Sequence, residues 1–406
     1  MQLMRHRLIE TSKALNIGKS QTFVDEHGEI QRKVVNSKDY EGVKLLVDSD
    51  NRPEFHANAF LLSLRLSDGL KDIAPSSKAM LIYFRFLSVN NIRWDDVDSV
   101  LDRKPIFLFR NHLNKMIAEG SYRRTTASSY LAVVRKFYLF CYRHGYIEQL
   151  PFLIEGVNKY GKNYTDCTIK SPTNEKGLRP LIDRELSYVS EHWGVVSIEF
   201  RLIILLALNS GLRAVEASDI KQRLFKIPKG FEGNTVTGIR IGPSNNCKTK
   251  FDIDREITMP VWLIKLFNRY HNSQRYKKRA AEYCELTGSY DVPAVLTKNS
   301  DVFSTKTITA LWNKLSKQIQ EESDPHFNHN FHENRATFGC RKLDALLSIE
   351  GITQSQALAT LKAELGHKQI ESTWRYLAYW EGHPEQNISA QVMMGLDDVF
   401  LQDMEF

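Results

Sequence analysis

The sequence predicts a mainly α-helical protein of the α+β kind: an all-helical domain, followed by a larger, mostly helical domain with one small antiparallel sheet. Three observations predict it. Apolar residues recur at helical spacing through most of the chain after residue 76. Alternating strand patterns in the second half are confined to 235–241 and 252–259. A polar stretch at 155–179, holding Gly161, Pro172 and Gly177 without a sustained apolar period, divides the two halves. With 406 residues and about 100–200 residues per domain, each half can bury its own core. The expected organisation is a head at 1–70 with no assignable role, a helical domain at 71–154, a linker at 155–179, a main domain at 180–390 and a tail at 391–406.

In chain order, 22–24 and 30–35 read as a hairpin about His27-Gly28, and 55–66 as a helix. Met80, Phe84 and Leu87 share one face of a helix from residue 76, with Ser76 and Ser77 where a cap belongs. Helices at 106–119 and 126–144 end at Gly120 and Gly145, and the second carries a stripe of Tyr130, Val134, Phe137 and Cys141. Residues 181–186 open a capped helix. Residues 200–208 are apolar on every face, the mark of a buried helix. In the second strand Ile253, Ile257 and Met259 alternate, and Arg255 breaks the pattern. Helices resume thereafter.

Composition excludes several classes. Hydrophobic residues at 42% and charged residues at 25% are ordinary globular values and argue against a wholly disordered or fibrous chain. The longest apolar run, 202–208, is far short of the ~20 residues of a membrane span, and no secretory or lipidation signal is visible at the start. Five scattered cysteines suit reduced thiols in a cytoplasm rather than a disulfide framework. The net charge of +7 is unevenly placed: the excess is 0 over 1–70, +6 over 71–160, +9 over 161–280 and −8 over 281–406. A basic middle between a neutral head and an acidic tail points to a polyanionic partner, nucleic acid first. Arg123 and Arg124 precede a helix start, a poor place for cations but a good one for gripping a phosphate. Arg275, Lys277, Lys278 and Arg279 form a second basic segment suited to phosphate positioning.

Four fragments of the main domain carry chemistry-bearing residues. In Gly211-Leu212-Arg213-Ala214-Val215-Glu216 a buried helix stops at glycine, and Glu216 can hold Arg213 across one turn. Lys248, with Lys250 as its rival, lies in the turn between the two strands. His332 and Arg335 share a helical face in His332-Glu333-Asn334-Arg335. Finally, Leu365-Gly366-His367 is followed by Tyr376 nine positions on. His326, His329 and His332 also recur every three residues, but Pro325, Asn328 and Asn330 interrupt a helix there, and no metal is expected.

In that order and spacing, with about 120 residues between Arg213 and His332, the fragments resemble the catalytic signature of the tyrosine recombinases, the phage-integrase family. The likeness runs from about Pro180 to Trp380, and 71–154 resembles that family's helical core-binding domain. The first 70 residues do not resemble the small basic arm-binding module of many integrases. The resemblance implies a site-specific recombinase that moves a mobile element by cutting and rejoining double-stranded DNA, with neither metal nor ATP. Tyr376 would attack the phosphate and form a 3′-phosphotyrosine. Arg213, Arg335, His332 and His367 would stabilise the transition state, Lys248 would protonate the leaving oxygen, and Glu216 would position Arg213. Tyr379 is a rival nucleophile. The family also implies a homo-tetramer on DNA with the tail docked on a neighbouring subunit, and possible accessory proteins in a bacterial cytoplasm. The alternatives are a type IB topoisomerase, sharing the phosphotyrosine chemistry, and a catalytically silent DNA-binding protein.

Overall fold

The computed structural model describes residues 6–11, 15–25, 27–40, 43–70, 72–97, 100–157, 163–169 and 177–382. The chain divides into two compact units, Met1–Thr173 and Asn174–Phe406. Among the described residues no helix is long and apolar enough to cross a membrane.

The first unit opens with four strands. β1 (Arg7–Glu10) pairs antiparallel with β4 (Lys44–Val47), enclosing the hairpin of β2 (Leu15–Val24) and β3 (Ile30–Tyr40). Four helices follow: α1 (Phe55–Leu66), α2 (Ala74–Val89), α3 (Pro105–Ala118) and α4 (Arg124–Arg143). The helix expected from Ser76 starts two residues earlier, because Pro75 suits a first turn and Asp72 accepts the Ala74 amide at 2.8 Å. Ser77 lies inside the helix, its hydroxyl donating to the Ile73 carbonyl. Phe60, Tyr83, Phe109, Val134 and Phe137 form the core, where the Tyr83 and Tyr138 hydroxyls meet at 2.5 Å and Tyr138 donates to the Trp94 carbonyl. Leu46 of β4 lies in that same core, so the head is built onto the helices rather than standing apart.

Part of the stretch read as a linker is structured. β5 (Ile154–Val157) pairs with β6 (Asn163–Thr165), and Cys167 and Ile169 enter the helical core. Arg135 of α4 donates to the Thr165 hydroxyl and the Cys167 carbonyl, closing that segment onto the helix. Its polar composition hid a short hairpin whose apolar anchors come only afterwards.

The second unit is built around α6 (Ile198–Ser210), preceded by α5 (Asp183–His192). Residues 202–208 of α6 are buried throughout, as their uniform apolarity requires. After the short α7 (Ala214–Asp219), β7 (Thr235–Ile241) and β8 (Arg255–Pro260) pair antiparallel, with Ile239 opposite Ile257 and Ile241 opposite Arg255. Helices α8 (Val261–Asn272), α9 (Gln274–Thr287), α10 (Thr305–Glu322), α11 (His332–Leu347), α12 (Gln354–Leu365) and α13 (Glu371–Gly382) complete the unit. The tail, 391–406, lies outside the described residues.

One buried ion cluster fixes the approach to α11. His329 stands between Glu185 and Glu333, with its ring nitrogens 2.9 Å from each carboxylate. Burial lowers its pKa, but the two carboxylates outweigh that and raise it from 6.5 to about 9. A raised folded-state value means stability that is fully present below pH 6.5 and is lost as pH rises through about 9. The contribution is about 3 kcal/mol at most. Urea unfolding between pH 6 and 10 should show this loss, and His329→Gln should flatten it.

Candidate active site

Arg213 is delivered by a helix break. Gly211 ends α6 in the left-handed region at φ +60°, where an added Cβ would lie 2.5 Å from the Phe338 ring. The chain then turns into α7 with Arg213 at its N-terminal boundary. Glu216 reaches back to the Arg213 amide at 2.8 Å and to its Nη1 at 2.9 Å, while Nη2 donates to the Gly366 carbonyl at 3.4 Å. The pairing expected from sequence is present, and Glu216 is almost wholly buried.

Arg335, on the first turn of α11, is 1% exposed and donates to the carbonyls of Gly211 and Leu365. Its Nη1 is also 3.9 Å from Glu216. Burial, then Arg213, lower its pKa to about 9, with Glu216 pulling the other way, so the guanidinium stays charged at neutral pH.

His332 is exposed at the start of α11. Desolvation by the surrounding protein, then Arg335, Arg213 and Lys250, hold its imidazole below the ordinary value. His367 follows Gly366, which ends α12 at φ +61°, and its Nδ1 lies 3.0 Å from the buried Thr373 hydroxyl. Burial, with Arg335, Arg213 and Arg255 in that order, pushes His367 down to about 3. Both imidazoles are neutral at pH 7.

Tyr376 sits on α13, 5% exposed, with its ring centroid 5.9 Å from that of His367. Burial raises its phenol to about 12 against the pull of Arg335. Its ring occupies the space above Gly339 of α11, where an added Cβ would stand 2.2 Å from the ring. Trp380 donates to Asp344 at 3.1 Å and ties α13 to α11. Gly339→Ala should cost about 1–3 kcal/mol, because the ring or the helix must move; urea denaturation measures it.

Arg213, Glu216, His332, Arg335, His367 and Tyr376 therefore converge from four separate segments. The hairpin lysines are placed differently. Asp219, paired to the buried Lys221 at 2.9 Å, accepts the Lys248 amide at 2.7 Å, while the Lys248 side chain is exposed and makes no hydrogen bond or ion pair among the described residues. Lys250 is the lysine whose charge reaches His332. Its amine lies 5.0 Å from the centre of the exposed Phe251 ring, which also receives Lys368 at 4.6 Å. Phe251 has φ +69°, a strained setting for a bulky residue.

The basic segments differ from one another. Arg123 and Arg124 are exposed at the start of α4, as a phosphate grip requires. Arg275 and Arg279 both pair with the buried Glu199, at 2.7 and 2.6 Å, whereas Lys277 and Lys278 of the same segment are exposed and have no ion pair among the described residues. Of the three regularly spaced histidines His326, His329 and His332, His329 is taken up by its two glutamates, with a ring nitrogen 2.9 Å from each. Sequence reasoning missed Arg255, Gly339 and Thr373. The break that Arg255 makes in strand alternation was the one available signal.

The fold is similar to that of solved DNA-bound recombinases and integrases. The Tn1549 transposon integrase, solved with a circular intermediate DNA, superposes with a TM-score of 0.51 at 16% identity, covering 79% of this chain and 94% of that one. The XerH site-specific recombinase, bound to a palindromic difH substrate after cleavage, gives 0.50 at 15% identity, covering 81% and 93%. No protein-family model matches the sequence, and no curated protein does.

Proposed function

We propose that this protein is a site-specific DNA recombinase that breaks and rejoins double-stranded DNA through a 3′-phosphotyrosine at Tyr376. The observation that carries the reading is the convergence of two guanidiniums, two imidazoles and a buried phenol around one point of the second unit. Arg213 and Arg335 present forked donors to the non-bridging oxygens of a phosphodiester, where charge grows in the transition state. A phenol held near 12 needs a base at the moment of attack. Neutral His332 suits that role, with Arg335 lowering the cost of the phenolate. His367, anchored to Thr373 through Nδ1, keeps its other ring nitrogen for the phosphate.

Attack by the Tyr376 oxygen on phosphorus forms the phosphotyrosine and breaks the bond to the 5′ oxygen, which leaves with a proton from the hairpin. Lys248, exposed and without a described partner, is the expected donor, with Lys250 as its rival in the same turn. A free 5′-hydroxyl of a partner strand then reverses the step, so neither metal nor ATP is required. The proposal extends to phosphate contacts by Arg123, Arg124, Lys277 and Lys278, to a homo-tetramer on DNA with 391–406 as its docking segment, and to the movement of a mobile element.

The test is incubation with a random library of nicked duplexes, recovery of DNA covalently joined to protein, and peptide mapping of the adduct. We expect attachment at Tyr376, unaffected by chelator. Attachment elsewhere, or cleavage that needs a divalent metal, overturns the reading. Strand exchange between two recovered sites separates a recombinase from a topoisomerase, which would only relax supercoils.

A further inference from the structure

Arg255 does not belong among the inward residues of β8 on hydrophobic grounds. Its strand neighbours on that face, Ile257 and Met259, enter the apolar core, yet Arg255 is 8% exposed. Its guanidinium grips Glu216 with both forks, Nη1 to Oε1 at 2.9 Å and Nη2 to Oε2 at 2.6 Å, while Nε donates to the Glu364 carbonyl at 2.9 Å. Its Cδ fills the place where a Cβ on Gly366 would stand, 2.7 Å away. One side chain thus touches the carboxylate that orients Arg213 and the turn that carries His367.

The charge count makes this more than packing. Three guanidiniums, those of Arg213, Arg255 and Arg335, share the single carboxylate of Glu216. The nearby Glu364 is engaged by Lys342 at 3.2 Å and by the Thr258 amide and hydroxyl, and supplies no second counter-charge. An ion cluster selected for stability would balance its charges. This one is short of negative charge until an anion arrives. Glu216 is nearer Arg255, at 2.6 Å, than Arg335, at 3.9 Å.

We propose that Arg255 is a positioning residue of the phosphate site: by occupying Glu216 it keeps that carboxylate from neutralising Arg335, leaving the active-site guanidiniums short of a counter-ion for the scissile phosphate. The inference deepens the recombinase reading and rests on it for the identity of the phosphate, but its central claim concerns any tetrahedral anion. Without Arg255, Glu216 closes on Arg335 and the site loses its pull. The distinctive consequence is that removing the carboxylate repairs the loss of the arginine.

Inorganic phosphate is the probe, titrated into the full chain while the side-chain Nε–H NMR signals of Arg213 and Arg335 are followed. Arg255→Leu should weaken phosphate binding about tenfold, as expected for losing one unit of poised charge. Adding Glu216→Gln to Arg255→Leu should recover most of it. On a nicked duplex recovered by selection, the same series should show Arg255→Leu slowing adduct formation about a hundredfold with DNA affinity little changed, and the double variant faster than the single. Arg255→Lys, which can hold one carboxylate oxygen but not two, should fall between wild type and Arg255→Leu, and it serves if the leucine variant does not fold. Equal phosphate binding in wild type and variants, a double variant no better than Arg255→Leu, or no phosphate response at Arg213 and Arg335 in the wild type overturns the proposal. A normal phosphate series with no covalent adduct on any duplex would instead sink the recombinase reading and leave Arg255 in its role.

Discussion

Replacing Tyr376 with phenylalanine is expected to abolish the covalent protein–DNA adduct of the proposed reaction and to leave the folded protein intact. The substitution removes one oxygen, and the phenol makes no hydrogen bond to another described residue, so no buried partner is left unsatisfied. The ring keeps its seat over Gly339 and against His367. Stability should change by less than about 1 kcal/mol, read by urea unfolding, while denaturing gels of nicked duplex show no adduct. Persistent adduct in the variant would transfer the nucleophile's role to Tyr379, one helical turn further along α13, whose phenol burial also raises to about 12. DNA binding at low salt should be retained, because the proposed phosphate contacts do not involve Tyr376.

Glu216→Leu is expected to have a large effect on stability. It leaves three guanidiniums, two of them deeply buried, without their shared counter-ion. Breaking a buried pair by removing one partner costs about 3–5 kcal/mol, and here the surviving cations also repel one another. Burial raises the Glu216 pKa, but the Arg255 hydrogen bonds and charge, then Arg213 and Arg335, overcome that and bring it from 4.5 to about 2. A depressed folded-state value means that the carboxylate's contribution is present above pH 4.5 and is lost as pH falls through about 2. Glu216→Leu should therefore remove part of the acid sensitivity along with the stability. Urea midpoints at pH 3 and pH 7 report both, and a variant as stable as wild type at pH 7 would refute the account of this cluster.

Much of the site was legible because its residues sit beside strong local signals. Arg213 follows a buried helix stopped by Gly211, so a break in periodicity marked it. Arg335 shares a helical face with His332, but the roles of Arg335 and Tyr376 were legible only through the resemblance of the ordered fragments to a known catalytic signature. What escaped depends on contacts between distant segments. Arg255 meets Glu216 from 39 positions away, and in sequence it is only an interruption of a strand. Gly339 gives no local sign that a ring from α13 will lie on it. In the first unit, the β1–β4 pairing joins strands more than thirty residues apart, which periodicity cannot register. The hairpin at Ile154–Val157 and Asn163–Thr165 is too short and too polar to stand out from a linker.

The carbonyls that receive Arg335 belong to the ends of α6 and α12, the places where each helix leaves acceptors unmet. One side chain thereby sutures two helices while also facing the point where chemistry would occur. Genetic screens that first require soluble, well-expressed protein will consequently recover inactive substitutions at Tyr376 and His332 but be depleted of those at Arg335, whose loss empties the soluble fraction before activity is ever scored. The scarcity of such mutants would reflect that double duty, and should not be mistaken for tolerance.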